Sequence, residues 1–210
     1  MSKAPMVVTR TVIRRVAVVC VVAIAALALT AGPSMATTVA LTTAPTLPTL
    51  SGVTLNGQTQ TTFTLWTNAM KITSSGTNNG WNLTVSGNAA AGQSAVFKQF
   101  CPSGPCGTDP TGYVSGGFTL PADSLTLNTG GASWTGAAPR PTYQCSVSPF
   151  CKIDHATAIK VVSASTSVAL TTWTASGSSV LTLATPASLR KLPTGEVYHL
   201  DVVWTLSSGP

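Results

Sequence analysis

From residue 53 onwards, apolar and polar side chains alternate in short runs broken by Gly, Asn, Ser and Pro. TTFTLW (61–66), GWNLTVSG (80–87), SAVFKQF (94–100), AIKVVSA (158–164), SVALTTW (167–173), SVLTLAT (179–185) and EVYHLDVVWTL (196–206) all carry the pattern. Successive side chains of a strand point to opposite faces, so a period of two sorts each run into an apolar and a polar side. Helical spacing does not persist anywhere in these runs. Many short alternating runs separated by turn formers predict an all-β chain, an antiparallel β-sandwich or barrel-like single domain.

Two runs are the most informative. In the last, Tyr198, Leu200, Val202, Trp204 and Leu206 share one face and His199, Asp201, Val203 and Thr205 the other, which predicts a buried core strand. GWNLTVSG repeats the arrangement with Trp81, Leu83 and Val85. Side by side, the two strands would build one aromatic-aliphatic cluster. Residues 37–52 are Thr- and Pro-rich and read as an extended lead-in with a strand at its start. Residues 101–156 carry little continuous alternation beyond GGFTL (116–120) and DSLTLN (123–128), and read as a loop-rich insertion within the same domain.

Composition changes the picture at the N-terminus. Arg10, Arg14 and Arg15 precede an apolar run, Val16 to Leu29, and Ser34 and Ala36 flank a cleavage point. Residues 1–36 therefore read as a secretory signal peptide, too short and too soon interrupted by Gly32-Pro33 for a membrane anchor. Four of the eleven Lys and Arg residues (Lys3, Arg10, Arg14, Arg15) lie in it, leaving seven against five acids, a net charge of +2 on residues 37–210. No basic cluster is left to track a phosphate backbone, so nucleic acid is not an expected partner. No later apolar run is long enough to span a bilayer.

In an exported chain, Cys101, Cys106, Cys145 and Cys151 read as two disulfides. CPSGPC and CSVSPFC suit local pairs, Cys101–Cys106 and Cys145–Cys151, with a cross-link between the two loops as the rival. Neither spacing is the CxxC of a zinc site, and no metal or other cofactor is expected.

At Gly80-Trp81-Asn82-Leu83-Thr84-Val85-Ser86, and at Tyr198 followed by Trp204-Thr205-Leu206 near the end, the sequence resembles the WxL-domain family of Gram-positive surface proteins. The resemblance implies Trp81, Leu83, Tyr198, Trp204 and Leu206 as motif positions. It also implies noncovalent attachment to the cell wall, with peptidoglycan or another wall glycan as ligand and other surface proteins as possible partners. Because the motif residues fall on core stripes, ligand contact is expected instead from aromatics in less regular stretches: Trp134, Tyr113 and Tyr143.

Catalytic signatures are sparse. The chain has no Gly-x-Ser-x-Gly elbow, phosphate-cradling glycine motif or His-Glu-x-x-His. His199 beside Asp201 reads as part of a solvated face. LPTGE (192–196) is similar to a sortase signal but lacks one residue between Pro and Thr, and a strand follows it. The expectation is a secreted, non-catalytic cell-surface protein that binds the wall. Its alternatives are an adhesin or assembly component binding protein partners, and a secreted enzyme of unrecognised type.

Overall fold

The computed structural model describes residues 38–67 and 69–209. All of them fall within one unit, Ser34–Pro210, and the expected signal peptide lies outside the described residues. Among the described residues no helix is long and apolar enough to cross a membrane.

The strands in chain order begin with β1 (Thr38–Thr43), β2 (Gln60–Thr67), β3 (Lys71–Ser75), β4 (Trp81–Gly87), β5 (Lys98–Cys101), β6 (Gly112–Tyr113) and β7 (Leu125–Asn128). They continue with β8 (Ala132–Thr135), β9 (Thr142–Tyr143), β10 (Cys151–Lys152), β11 (Ile159–Ala164), β12 (Thr172–Thr185), β13 (Val197–His199) and β14 (Val202–Ser208). All the pairings are antiparallel.

β12 is the spine of the largest sheet. Its first half pairs with β3 on one side and β8 on the other, its second half with β2 and β7. Trp173, Ala175, Ser179, Leu181, Leu183 and Thr185 all turn inward, so a period of two holds on both sides of Gly177, which is itself exposed. The sequence suggests two strands here, split at the Gly/Ser stretch. The chain instead runs through, because Gly177 takes φ +74° and bends the strand without ending it. A Cβ at Gly177 would stand 2.3 Å from the Gly131 carbonyl oxygen on the neighbouring turn. Gly177→Ala is therefore expected to cost about 2 kcal/mol or more, read as a lower thermal midpoint; an unchanged midpoint would mean that the bend is not a constraint.

β14, β4, β11 and β9 form the second sheet, and β13, β5 and β6 a small third one. Trp81, Leu83 and Val85 of β4 pack with Val161 and Val162 of β11 against Ile72, Leu125, Leu127, Trp173 and Leu181 of the large sheet. Trp81 meets Trp173 across this interface at 5.8 Å between ring centroids. β14 lies beside β4 as the sequence suggests, with Leu206 opposite Leu83, but the antiparallel register puts Trp204 opposite Val85 and Ser208 opposite Trp81. The two indoles thus do not touch. Trp204 packs on Trp66 at 5.9 Å instead.

The closing run is also not one strand. It breaks at Leu200-Asp201, so that Tyr198 belongs to the small sheet and only Val202, Trp204 and Leu206 continue on the inner face of β14. Both local disulfides are formed, Cys101–Cys106 and Cys145–Cys151. The segment 101–156 is loop-rich, yet it also supplies β7 and β8 to the spine and buries Leu125, Leu127, Trp134, Tyr143 and Ile153.

Candidate functional site

Two of the three aromatics singled out for ligand contact meet. Trp134 sits on β8 opposite Ala175 of β12, and Tyr143 on β9 opposite Val162 of β11, so the rings come from different sheets. They stack at 5.2 Å with planes 13° apart, and both are buried. Each ring thereby spends a face on the other and presents no open platform. A cavity of about 330 Å³ is lined by both residues together with Thr129, Ser133, Arg140 and Ser146.

The wall is held by the turn between β7 and β8. Asn128 Oδ1 accepts the Gly130 N–H (2.8 Å), and the Ala132 N–H donates to the Thr129 carbonyl (2.9 Å). The Thr129 N–H reaches the Cys145 carbonyl at 3.0 Å, tying the turn to the second disulfide loop.

Behind this wall, three buried polar atoms of its residues have no hydrogen-bond partner among the described residues: Trp134 Nε1, the Tyr143 hydroxyl and Thr129 Oγ1. A buried polar group left unpaired costs about 1–3 kcal/mol, and native chains keep few of them. Burial pushes the Tyr143 phenol above the ordinary tyrosine range, so it remains a protonated donor. The exposed Arg140, its Nε donating to the Gly136 carbonyl at 3.2 Å, adds a cation to the same wall. An indole N–H, hydroxyls and a guanidinium can together hydrogen-bond hydroxyl, acetamido and carboxylate groups.

Tyr113 lies elsewhere. On β6 it packs edge-on against Phe100 at 4.9 Å, and Phe100 stacks on His199 at 4.6 Å. Its hydroxyl donates to Asp201 Oδ2 at 2.5 Å, the Ser94 N–H reaches the same oxygen at 3.1 Å, and His199 Nε2 lies 3.3 Å from Asp201 Oδ1. Burial, then the bond to Asp201, then the Asp201 charge raise the Tyr113 phenol, which keeps it a donor. The Ser94 hydroxyl is turned to the Val96 carbonyl at 2.7 Å. Asp201 thus ties β6, the loop before β5 and the β13–β14 junction. The sequence reading of a solvated His199/Asp201 face missed this network, because Tyr113 and Ser94 are remote in the chain.

The motif residues sit in or against the core. Trp81 and Leu83 are fully buried, Trp204 and Leu206 half-buried, and the Tyr198 hydroxyl donates to the Arg190 carbonyl at 3.1 Å. Among the described residues no cluster of His, Cys, Asp and Glu could hold a metal ion. A second, larger cavity of about 1010 Å³ went unnoticed in the sequence. Its signal was there in the leucines of PTLPTL (45–50) and LRKL (189–192).

No family model, curated protein or solved structure matches the chain.

Proposed function

We propose that this is an exported, non-catalytic cell-surface protein that binds the wall noncovalently, with peptidoglycan or another wall glycan as its ligand, in the manner of the WxL-domain proteins that its two Trp-x-Leu strands resemble. The observation that carries the reading is the Trp134/Tyr143 cavity with its partnerless N–H and O–H groups and Arg140 at its wall. Wall glycans offer the matching acceptors. Recognition there is by ring edges and donors, since the ring faces are used in the stack.

The test is co-sedimentation of oxidised residues 37–210 with purified sacculi, with and without teichoic acids. Saturable pelleting with bare peptidoglycan is expected. Tyr143→Phe deletes one unanswered donor and Arg140→Ala one exposed cation, and each is expected to weaken pelleting about 5- to 10-fold, the worth of one such hydrogen bond. Without ligand, Tyr143→Phe is expected to leave stability unchanged or slightly raised, because it removes a buried hydroxyl that nothing satisfies. A well-folded protein that does not pellet would remove direct glycan recognition.

A second reading, an assembly component with protein partners, rests on β2. Phe63 and Leu65 point outward there at 71% and 65% exposure, and among the described residues β2 pairs only with β12. An open edge with exposed apolar side chains is a surface that a strand of another protein can extend.

A further inference from the structure

We propose that the larger cavity binds the acyl chain of an anionic amphiphile, with Arg190 and Lys191 receiving its headgroup. The cavity is about 1010 Å³, at the top of the range of small-molecule sites. Its floor is core: Leu181 and Leu183 of β12 are both buried and both reach it. The flap over that floor is the segment 45–53. There Leu47, Leu50 and Val53 recur every third residue, the period of a polyproline-like chain, and all three line the cavity. Trp66 fastens this flap, its Nε1 donating to the Thr46 carbonyl at 2.8 Å.

The wall chemistry selects the occupant. It is dominated by leucine, with valine and proline, and holds few aromatic rings. Its three rings, Phe97, Tyr198 and His199, are outnumbered by leucines, and that aliphatic surface matches an alkyl chain group for group. Protein interiors leave few voids larger than a water molecule. A leucine-lined space of this size held open to water is therefore costly, and covering its surface with hydrocarbon recovers about 25 cal/mol per Å².

The charges fix the polarity of the head. Arg190 and Lys191 are adjacent, exposed and part of the wall, and the two ion pairs among the described residues involve neither of them. Two of the seven cations in residues 37–210 thus stand at one cavity. Glu196 is the only carboxylate in the wall; Gln99 donates to its Oε2, while its buried Oε1 has no partner among the described residues. The wall therefore carries net positive charge. A fatty acid and a lysophospholipid with a glycerol head share the required chain and anion.

This inference stands apart from the glycan reading, because it concerns a different cavity. The test is calorimetric titration of residues 37–210 with four single-chain probes of equal length: palmitate, lysophosphatidylglycerol, hexadecanol and hexadecyltrimethylammonium, each below its micellar concentration. One-to-one binding of the two anions is expected, with a negative heat-capacity change. The cationic probe is expected to bind at least tenfold more weakly. Arg190→Ala with Lys191→Ala should weaken the anions about tenfold and leave hexadecanol unchanged. Val53→Trp, which narrows the cavity from the flap, should weaken binding of all four while the thermal midpoint is kept.

Three outcomes overturn the proposal. The first is no binding of either anion by the folded protein. The second is equal binding of anionic and cationic probes. The third is binding indifferent to Val53→Trp, which would place the amphiphile on the exposed Phe63/Leu65 surface.

Discussion

Trp81→Ala is expected to destabilise the folded chain by about 3–5 kcal/mol, the usual cost of emptying a buried indole site. Trp81 is fully buried, packs at a tilt against Trp173 of the opposite sheet, and lies on a central strand whose two neighbours, β11 and β14, prevent the backbone from collapsing into the space. In urea, at a slope of about 2 kcal/mol/M, the loss is a midpoint shift of about 1.5–2.5 M. Trp204→Ala should shift it less, since that indole is only half-buried on a sheet edge. An equal or negligible shift for Trp81 would sink the assignment of the first Trp-x-Leu strand to the core. The comparison also separates folding from recognition. Trp81→Ala, assayed where it remains folded, should still pellet with sacculi, whereas a variant that loses pelleting at unchanged stability would make the motif itself the contact surface.

The alternation of β14 was legible because one face turns to the core and the other towards solvent, and that of β4 because its polar residues sit on the less buried face. Their adjacency was legible too, but register was not. Nothing in a strand's own residues tells whether Trp204 will stand opposite Trp81 or Val85; the partner strand and the chain direction decide it. The fused β12 was hidden for a related reason. Gly-Ser-Ser reads as a turn, and only the closeness of the Gly131 carbonyl shows that Gly177 serves as a bend. The break at Leu200-Asp201 was masked by unbroken alternation. What splits the run is a set of distant partners, the Asn88 N–H on the Asp201 carbonyl and Ser94 on its backbone and carboxylate.

The same division holds for the candidate sites. Trp134 and Tyr143 could be nominated singly, from irregular surroundings, but their stacking depends on β8 and β9 belonging to different sheets. Tyr113, nominated on equal grounds, is committed to Asp201 and has no place in that cavity. The leucine-lined cavity was the least legible feature. Its wall draws on four separate segments, and the spacing of three in PTLPTL looked like a linker until Trp66 was seen to hold it against the sheet.

Asp154 gives the second large effect. It has no exposed surface, and its two oxygens accept the N–H groups of Ser124 (2.8 Å) and Leu125 (2.9 Å), fixing the chain where it enters β7. Asp154→Ala strands both donors in the interior. At about 1.5–3 kcal/mol for each bond to a charged group, the expected loss at neutral pH is about 3–6 kcal/mol, measured by urea unfolding; a loss below 1 kcal/mol would mean that water replaces the carboxyl. The pH dependence has a definite sign. Burial raises the Asp154 carboxyl above its ordinary value of 3.8, with the backbone N–H groups opposing only part of that rise. The folded chain then holds this proton more tightly than the unfolded one, so the proton-linked part of the group's contribution to stability is fully present below pH 3.8 and is lost as pH climbs through the raised value, on top of what its two hydrogen bonds supply at every pH. Asp154→Asn removes that titration and leaves the other groups in place. The stability gap between the native chain and Asp154→Asn should therefore be widest in acid and narrow as pH rises. A gap that widens with pH would mean that the two N–H bonds outweigh burial and that the fold is built around the carboxylate.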